Sequence, residues 1–299
     1  MAVDKLVDSA QLDGYFTNIA SAIRSKAGAS STYTPSEMPQ AIEDIPSGGG
    51  GDEVIDNVLM GNITSINTSV PYINSYVFYN QSLLTTVEAP EASIVSNAAF
   101  NGCTNLTTIS FPLATAVFSM GFSGCKKLSN VYMPNLVSVN SYAFQSCSLS
   151  VVNFPSLTTA SENAFAYNSY LTDVSLPHLF YVSTRTFRNC PALVNVSLPM
   201  MSTCGSEAFY SCTNLPSISL PNITSINANA FTNCKSLMSI YLLGTFVRLM
   251  SSTAFNSTPI VSSVNGVYGS IFVKASLYSS YIASTMWNRF SSRIVSVTE

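Results

Sequence analysis

Apolar residues recur along this chain at a fixed long interval. Phenylalanines stand at Phe78, Phe100, Phe122, Phe144, Phe165, Phe187, Phe209, Phe231 and Phe255, with spacings of 22, 22, 22, 21, 22, 22, 22 and 24 residues. Prolines from Pro90 to Pro221 and leucines from Leu84 to Leu237 keep the same period. One unit reads L-x-x-[VI]-x-[LF]-P-x-[LMI]-x-x-[VI]-x-x-x-A-F-x-x-C-x-x-L and is seen whole from Leu215 to Leu237. Within it, Ile218-x-Leu220 alternates apolar with polar, the period of a strand with one buried face. Pro221 ends that strand because it cannot donate to a ladder. Ile223-x-x-Ile226 suggests a second short extended piece, and Ala230-Phe231 with Cys234 a tight turn back to the next leucine.

A lone coil of this kind cannot bury its apolar face, so coils must stack and equivalent residues must form columns. About nine coils at roughly 4.8 Å each predict a rod on the order of 45 Å long, with a phenylalanine column beside columns of Leu, Ile and Val. The ends depart from the period. In residues 1–46, Leu12, Phe16, Ile19 and Ile23 fall at helical spacing, and Met38, Ile42 and Ile45 suggest a second helix. This segment either caps the solenoid or forms a module for docking and self-association, since Gly48 to Gly51 in the linker 47–52 act as a flexible joint. Residues 53–269 carry the repeats. Residues 270–299 read as a cap: a strand at Ile271-Phe272-Val273, a helix from Ser276 toward Met286, and Trp287, Phe290 and Ile294 over the last coil.

Composition narrows the function. Hydrophobic residues make up 47% of the 299 and charged ones only 9%, against roughly 25% charged in an ordinary soluble domain. Neutral polar groups must therefore cover the surface. Twelve Lys+Arg against fifteen Asp+Glu give no basic footprint for nucleic acid. Asp4, Asp8 and Asp13 interrupt the opening of the sequence, which shows no Sec-type signal, and no apolar run reaches membrane-spanning length. The expectation is a soluble protein with no membrane insertion.

Candidate chemistry is sparse. Six of the seven cysteines (Cys103, Cys125, Cys147, Cys190, Cys212 and Cys234) lie three residues after a repeat phenylalanine, and Cys204 takes a core [VI] position. Parallel side chains in such columns suit buried reduced thiols better than disulfides. Asn168 replaces the cysteine in one coil without disturbing the period, so the position is expected to serve packing. His178, the one histidine, is expected to face solvent, and Glu88, Glu91, Glu162, Asp173 and Glu207 read as scattered, without the paired carboxylates glycoside hydrolysis needs. No metal, cofactor or catalytic residue is expected. What remains is the outward face of the L-x-x-[VI]-x-[LF] strands, rich in hydroxyls and amides. Tyr132, Tyr241, Asn130, Asn153, Asp173, Ser175 and Asn195 are its candidate ligand-binding residues, with the tyrosines able to stack on a sugar ring or anchor a protein contact.

Leu106 to Pro112 and Ala99-Phe100-Asn101-Gly102-Cys103 resemble the BspA-type leucine-rich repeats. The resemblance covers roughly Ile63 to Ile260 and implies a β-rich leucine-rich-repeat solenoid of about nine 22-residue coils, with a small N-terminal helical segment and a C-terminal strand-helix cap. Ala2 to Ser9 and Asn18 to Arg24 are similar to leader segments of phage and prophage structural proteins. That second resemblance implies a non-enzymatic virion or tail-appendage protein. Residues 1–46 would bind other tail proteins or self-associate, as a trimer by analogy with tail fibres, and the solenoid would bind a host-surface protein or glycan. The alternative is a BspA-like adhesin on a bacterial cell surface.

Overall fold

The computed structural model describes residues 63–298; the expected helices of residues 1–46, with Leu12, Phe16, Ile19 and Ile23, and the linker 47–52 lie outside them. Each coil contributes two parallel strands. The front strand is usually three residues long, with its middle side chain turned inward, as in Thr86–Glu88, where Val87 is fully buried. The back strand is two residues, as in Ile94–Val95, whose Val95 is buried. Back strands form one continuous nine-stranded sheet from Tyr72–Ile73 to Arg248–Leu249. Front strands form three consecutive sheets of four, three and four strands, eleven rungs in all.

The eleven rungs slightly exceed the nine or so coils expected from the phenylalanines: nine coils carry both strands, and the two extra rungs come from the C-terminal segment. Ser270–Lys274 pairs in parallel with Ser239–Leu242, and Ile294–Val297 pairs with Ser270–Lys274. The segment thus extends the front ladder as well as closing the core. Its helix is shorter than the sequence suggests: Ser276 sits inside a 3-10 turn, Ala275–Leu277, and the α-helix runs only over Tyr278–Ala283.

Between back strand and next front strand the chain makes the Ala-Phe turn. It carries left-handed backbone two residues before and two residues after the phenylalanine in nearly every coil, for example Met120 (φ 60°) and Gly124 (φ 73°) around Phe122, or Glu207 (φ 57°) and Ser211 (φ 59°) around Phe209. Such φ values are costly for residues with a Cβ, so tertiary contacts hold them. The contacts are visible: backbone N–H groups of this turn donate to the following coil, as Phe100 N does to Gly121 O at 2.8 Å and Phe209 N to Ala230 O at 2.8 Å.

The nine phenylalanines form an unbroken stack, with ring centroids 5.1–5.8 Å apart and planes within 15°. It ends at Phe255, where Phe290 meets the ring edge-on at 5.5 Å and Trp287 lies 6.0 Å away. Trp287 Nε1 donates to Val247 O, and Val247 N donates to the Tyr281 hydroxyl. Both polar groups of that buried backbone unit are therefore satisfied by the cap.

Neutral polar side chains tie coil to coil, which gives the low charge a structural meaning. Thr107, Thr172 and Thr224 hydroxyls donate to carbonyls one coil earlier at 2.9–3.0 Å, and Asn135 and Asn222 amides do the same at 2.8 Å. The cysteine column packs in the core as expected and also belongs to this system. Each repeat thiol points at the carbonyl of the preceding coil's phenylalanine, as Cys103 does at Phe78 O (2.9 Å) and Cys234 at Phe209 O (3.1 Å). All seven cysteines are free and buried, and burial pushes the thiols of Cys190 and Cys234 up to about 12.

Asn168 shows what the position does. Its Nδ2 donates to Phe144 O and Phe165 O, and its Oδ1 accepts from Leu149 N at 3.2 Å. In regular coils that leucine N–H bonds to the carbonyl of its own coil's cysteine, as Leu128 N does to Cys125 O. The 21-residue unit lacks one residue between Cys147 and Leu149, and the amide of the next coil takes up the donor left over.

Two stability predictions follow from these contacts. Phe165→Ala removes one ring from mid-stack and is expected to cost about 3–5 kcal/mol, whereas the outward Ser175→Ala should stay within about 0.5 kcal/mol; thermal melts that coincide would contradict the register. Asn168→Cys restores the repeat consensus yet strands the buried Leu149 N–H, so it should lower stability by about 1–3 kcal/mol, read as a fall in melting temperature.

Candidate functional site

The front ladder is interrupted twice, and each interruption has a cause in the sequence. No ladder pairing joins Asn130–Tyr132 to Val151–Asn153, the step that follows the 21-residue unit. None joins Asn195–Ser197 to Ser217–Ser219. There the column of residues just before the front strand, which elsewhere donates an N–H to the coil before, holds Pro216. Thr107 N reaches Thr85 O, Ser129 N reaches Thr107 O, and Val194 N reaches Thr172 O; proline has no such donor. On its other side Pro216 behaves normally, accepting from Met238 N at 2.8 Å.

At both interruptions the sheet opens into a notch. The first, about 380 Å³, is lined by Asn130, Val131, Tyr132, Ser150, Val151 and Asn153 with neighbours from Thr108 to Ser110 and Phe154. The second, about 440 Å³, is lined by Asp173, Ser175, Val194 to Ser197, Ser217 to Ser219 and Tyr241. Val151 and Asn153 line both. Mid-strand residues elsewhere in the ladder are fully buried, as Val152, Val174 and Ile240 are, but Val131 and Val196, the two that precede the interruptions, are only partly buried. Each notch therefore has an apolar floor of exposed core and walls of amides and hydroxyls.

All seven candidate ligand-binding residues line one notch or the other: Asn130, Tyr132 and Asn153 the first, and Asn153, Asp173, Ser175, Asn195 and Tyr241 the second. The two tyrosines differ. Tyr132 is 59% exposed and free to present its ring. Tyr241 is stacked on Phe272, with centroids 4.7 Å apart and planes at 11°, and it lies five rungs from Tyr132 in the ladder, so the two cannot grip one small ring together. Asp173 accepts from the Thr172 hydroxyl at 2.6 Å and from Asn195 Nδ2 at 2.7 Å. The Thr172 bond first, and the Asn195 bond second, hold its carboxyl below the usual carboxylate range.

The carboxylates that read as scattered are in part gathered. Arg185 on the turn side reaches Glu162 at 3.3 Å and Glu207 through two nitrogens at 3.0 and 3.3 Å. Arg188 also pairs with Glu207 and lies over the Tyr210 ring. Both glutamates are thus committed to arginine, a coil-bridging network and not an acid–base pair. His178 is exposed in the turn after a front strand. Among the described residues, no group of three or more His, Cys, Asp or Glu could hold a metal ion, and no helix is long and apolar enough to cross a membrane.

Two columns of parallel strands, joined by turns and wrapped around stacked leucine and phenylalanine columns, define a leucine-rich-repeat solenoid with a polar front face. The chain matches the family model for the BspA type leucine rich repeat region in six copies, over residues 56–172 and 158–281, and belongs to that family. Solved structures of similar proteins are the following. A leucine-rich repeat protein from Bacteroides ovatus superposes with a TM-score of 0.51 at 21% identity, covering 71% of this chain and 59% of its own. The leucine-rich repeat protein of T. pallidum gives 0.48 at 24% identity over 51% and 78% of the two chains. A leucine-rich cell surface protein from Faecalibacterium prausnitzii gives 0.36 at 18% over 77% and 80%. The chain thus spans 59% of the length of the Bacteroides ovatus protein. No curated protein matches it.

The interruptions and their half-exposed valines were missed in the sequence pattern, although both signals are there: the single 21-residue spacing and the single Pro216 in its column. A titration checks the local electrostatics. Because the folded carboxyl of Asp173 lies below its unfolded value, its contribution to stability is present above the unfolded value and is lost as pH falls through the folded one. Thr172→Val should move the Asp173 carbon resonance titration upward toward the ordinary carboxylate range, and Asn195→Ala should move it by less.

Proposed function

We propose that this protein is a non-enzymatic recognition protein of the bacterial cell surface, whose solenoid presents its front face to a host-surface protein or glycan. The observation that carries the reading is the gathering of every exposed candidate group into two adjoining notches on one face. Membership of the BspA-type family supports the surface setting. The virion reading rests on residues 2–24, outside those described, and the family match and the structures named above lend it no support. Binding of tail proteins through residues 1–46 and trimer formation rest on the same segment.

Asp173 on the front face is bonded to Thr172 and Asn195, and Glu162 and Glu207 on the turn side are neutralised by arginine. The surface therefore offers hydrogen bonds, short apolar floors and one free aromatic ring, which is the equipment of a binding face.

Beads coated with the full chain should attach to epithelial monolayers. Tyr132→Ala combined with Asn153→Ala should cut attachment by about tenfold, a loss of roughly 1.4 kcal/mol, while Tyr181→Ala on the back ladder leaves it intact. Equal attachment by all three would remove the front face from the function. Protease treatment of intact producing cells should shave the protein from the surface; recovery only in purified phage particles would overturn the cellular setting.

A further inference from the structure

The two notches are sites where the solenoid departs from its own repeat, and the departures coincide three ways. The ladder is unpaired there, the mid-strand valine on the N-terminal side is only partly buried there, and two depressions of the front face lie there. The interruptions differ in origin, one a missing residue and the other a proline, yet they give the same product: Val131 or Val196 as floor, with an amide from Asn130 or Asn195 beside it. They are three rungs apart, so their centres are separated by roughly 14 Å at about 4.8 Å per rung. Asn153 stands on the rung that lines both.

Resting on the reading of the front face as the binding face, we propose that the notch pair binds a neutral, linear oligosaccharide laid along the rod, one sugar unit seated in each notch. Charge selects the class. No Lys, Arg or His lines either notch, so an anionic glycan or acidic peptide would find no counter-charge and would meet Asp173. Asp173 is held by Thr172 and Asn195, which fixes the Asn195 amide at the notch wall. Amides and hydroxyls both donate and accept, which matches a ligand made of hydroxyls. A pyranose also has an apolar C–H face, and the exposed Tyr132 ring together with the valine floors supplies its counterpart. Volumes of about 380 and 440 Å³ sit at the low end for ligand sites, suited to one ring each. A peptide adding as a strand would find front strands of only three residues at each interruption.

The test uses the full chain and four neutral probes, maltohexaose, cellohexaose, mannohexaose and chitohexaose, with a heparin hexasaccharide as the anionic comparison, titrated to millimolar concentration by calorimetry and NMR. At least one neutral hexasaccharide should bind and the heparin probe should not. Asn153→Ala, which faces both notches, should weaken binding by about tenfold. Pro216→Val restores the N–H that the ladder lacks. It should close the second notch and weaken binding to a similar degree, with a melting temperature equal to or above that of the parent, so that lost binding is not lost folding. Binding of none of the four neutral probes, or tighter binding of heparin, overturns the glycan proposal. If bead attachment still depends on Tyr132 and Asn153 in that case, the front face keeps its function with a protein ligand. If attachment is also indifferent to them, both readings fall together.

Discussion

No coil of this protein can satisfy its own backbone. Strands of two and three residues have no partner within the coil, and the turns, beyond local bonds such as Cys125 N to Phe122 O, send their remaining N–H groups to the following coil, as Phe122 N does to Ala143 O, so each coil is completed by the next. The phenylalanine stack is the apolar counterpart of that dependence. Ring separations of 5.1–5.8 Å are close to the strand spacing of about 4.8 Å, so one repeat length serves both the backbone ladder and the aromatic column. Hydroxyl, amide and thiol donors reaching one coil back use the same interval. That shared interval makes a chain with 9% charged residues stable as a rod: neutral side chains that would elsewhere only solvate a surface are here bonded along the axis.

The same dependence explains why small departures matter. A missing residue before Leu149 and a missing N–H at Pro216 each remove a bond between coils, and the front ladder parts at both places while the back ladder and the ring stack continue. The back ladder tolerates the changes because both lie just ahead of the front strand. Asn168 repairs the buried consequence of the first departure without rejoining the strands. The inner side stays closed and the outer side opens, a division of labour between the two ladders that a perfectly regular repeat would not have.

Much of this was legible in the sequence. Phenylalanine spacing gives the coil count, the alternation in Ile218-x-Leu220 gives the inward residue of the front strand, and proline gives its end. The outward columns were assigned correctly because period 2 leaves no freedom in which side chain faces solvent. Asn168 reads as a packing position because replacing Cys by Asn leaves the period intact, whereas its hydrogen-bonding role depends on a residue missing nineteen positions earlier. Tyr241 looked equivalent to Tyr132 because the C-terminal segment gave no sign that Phe272 would come to lie in register beside it. The Arg185 network was hidden for a related reason: its members are a coil apart, and charge pairing across coils leaves no mark in a local window.

The attachment of Tyr281 and Trp287 to the two polar atoms of Val247 has a bearing on how the rod comes apart. A linear array is weakest at its extremities, where an outer unit has one neighbour instead of two. At this extremity, peeling off the final coil means breaking two directional bonds and an aromatic cluster in a single step. Fraying is thereby suppressed on that side, and unzipping is biased toward the seams where the front ladder has already parted.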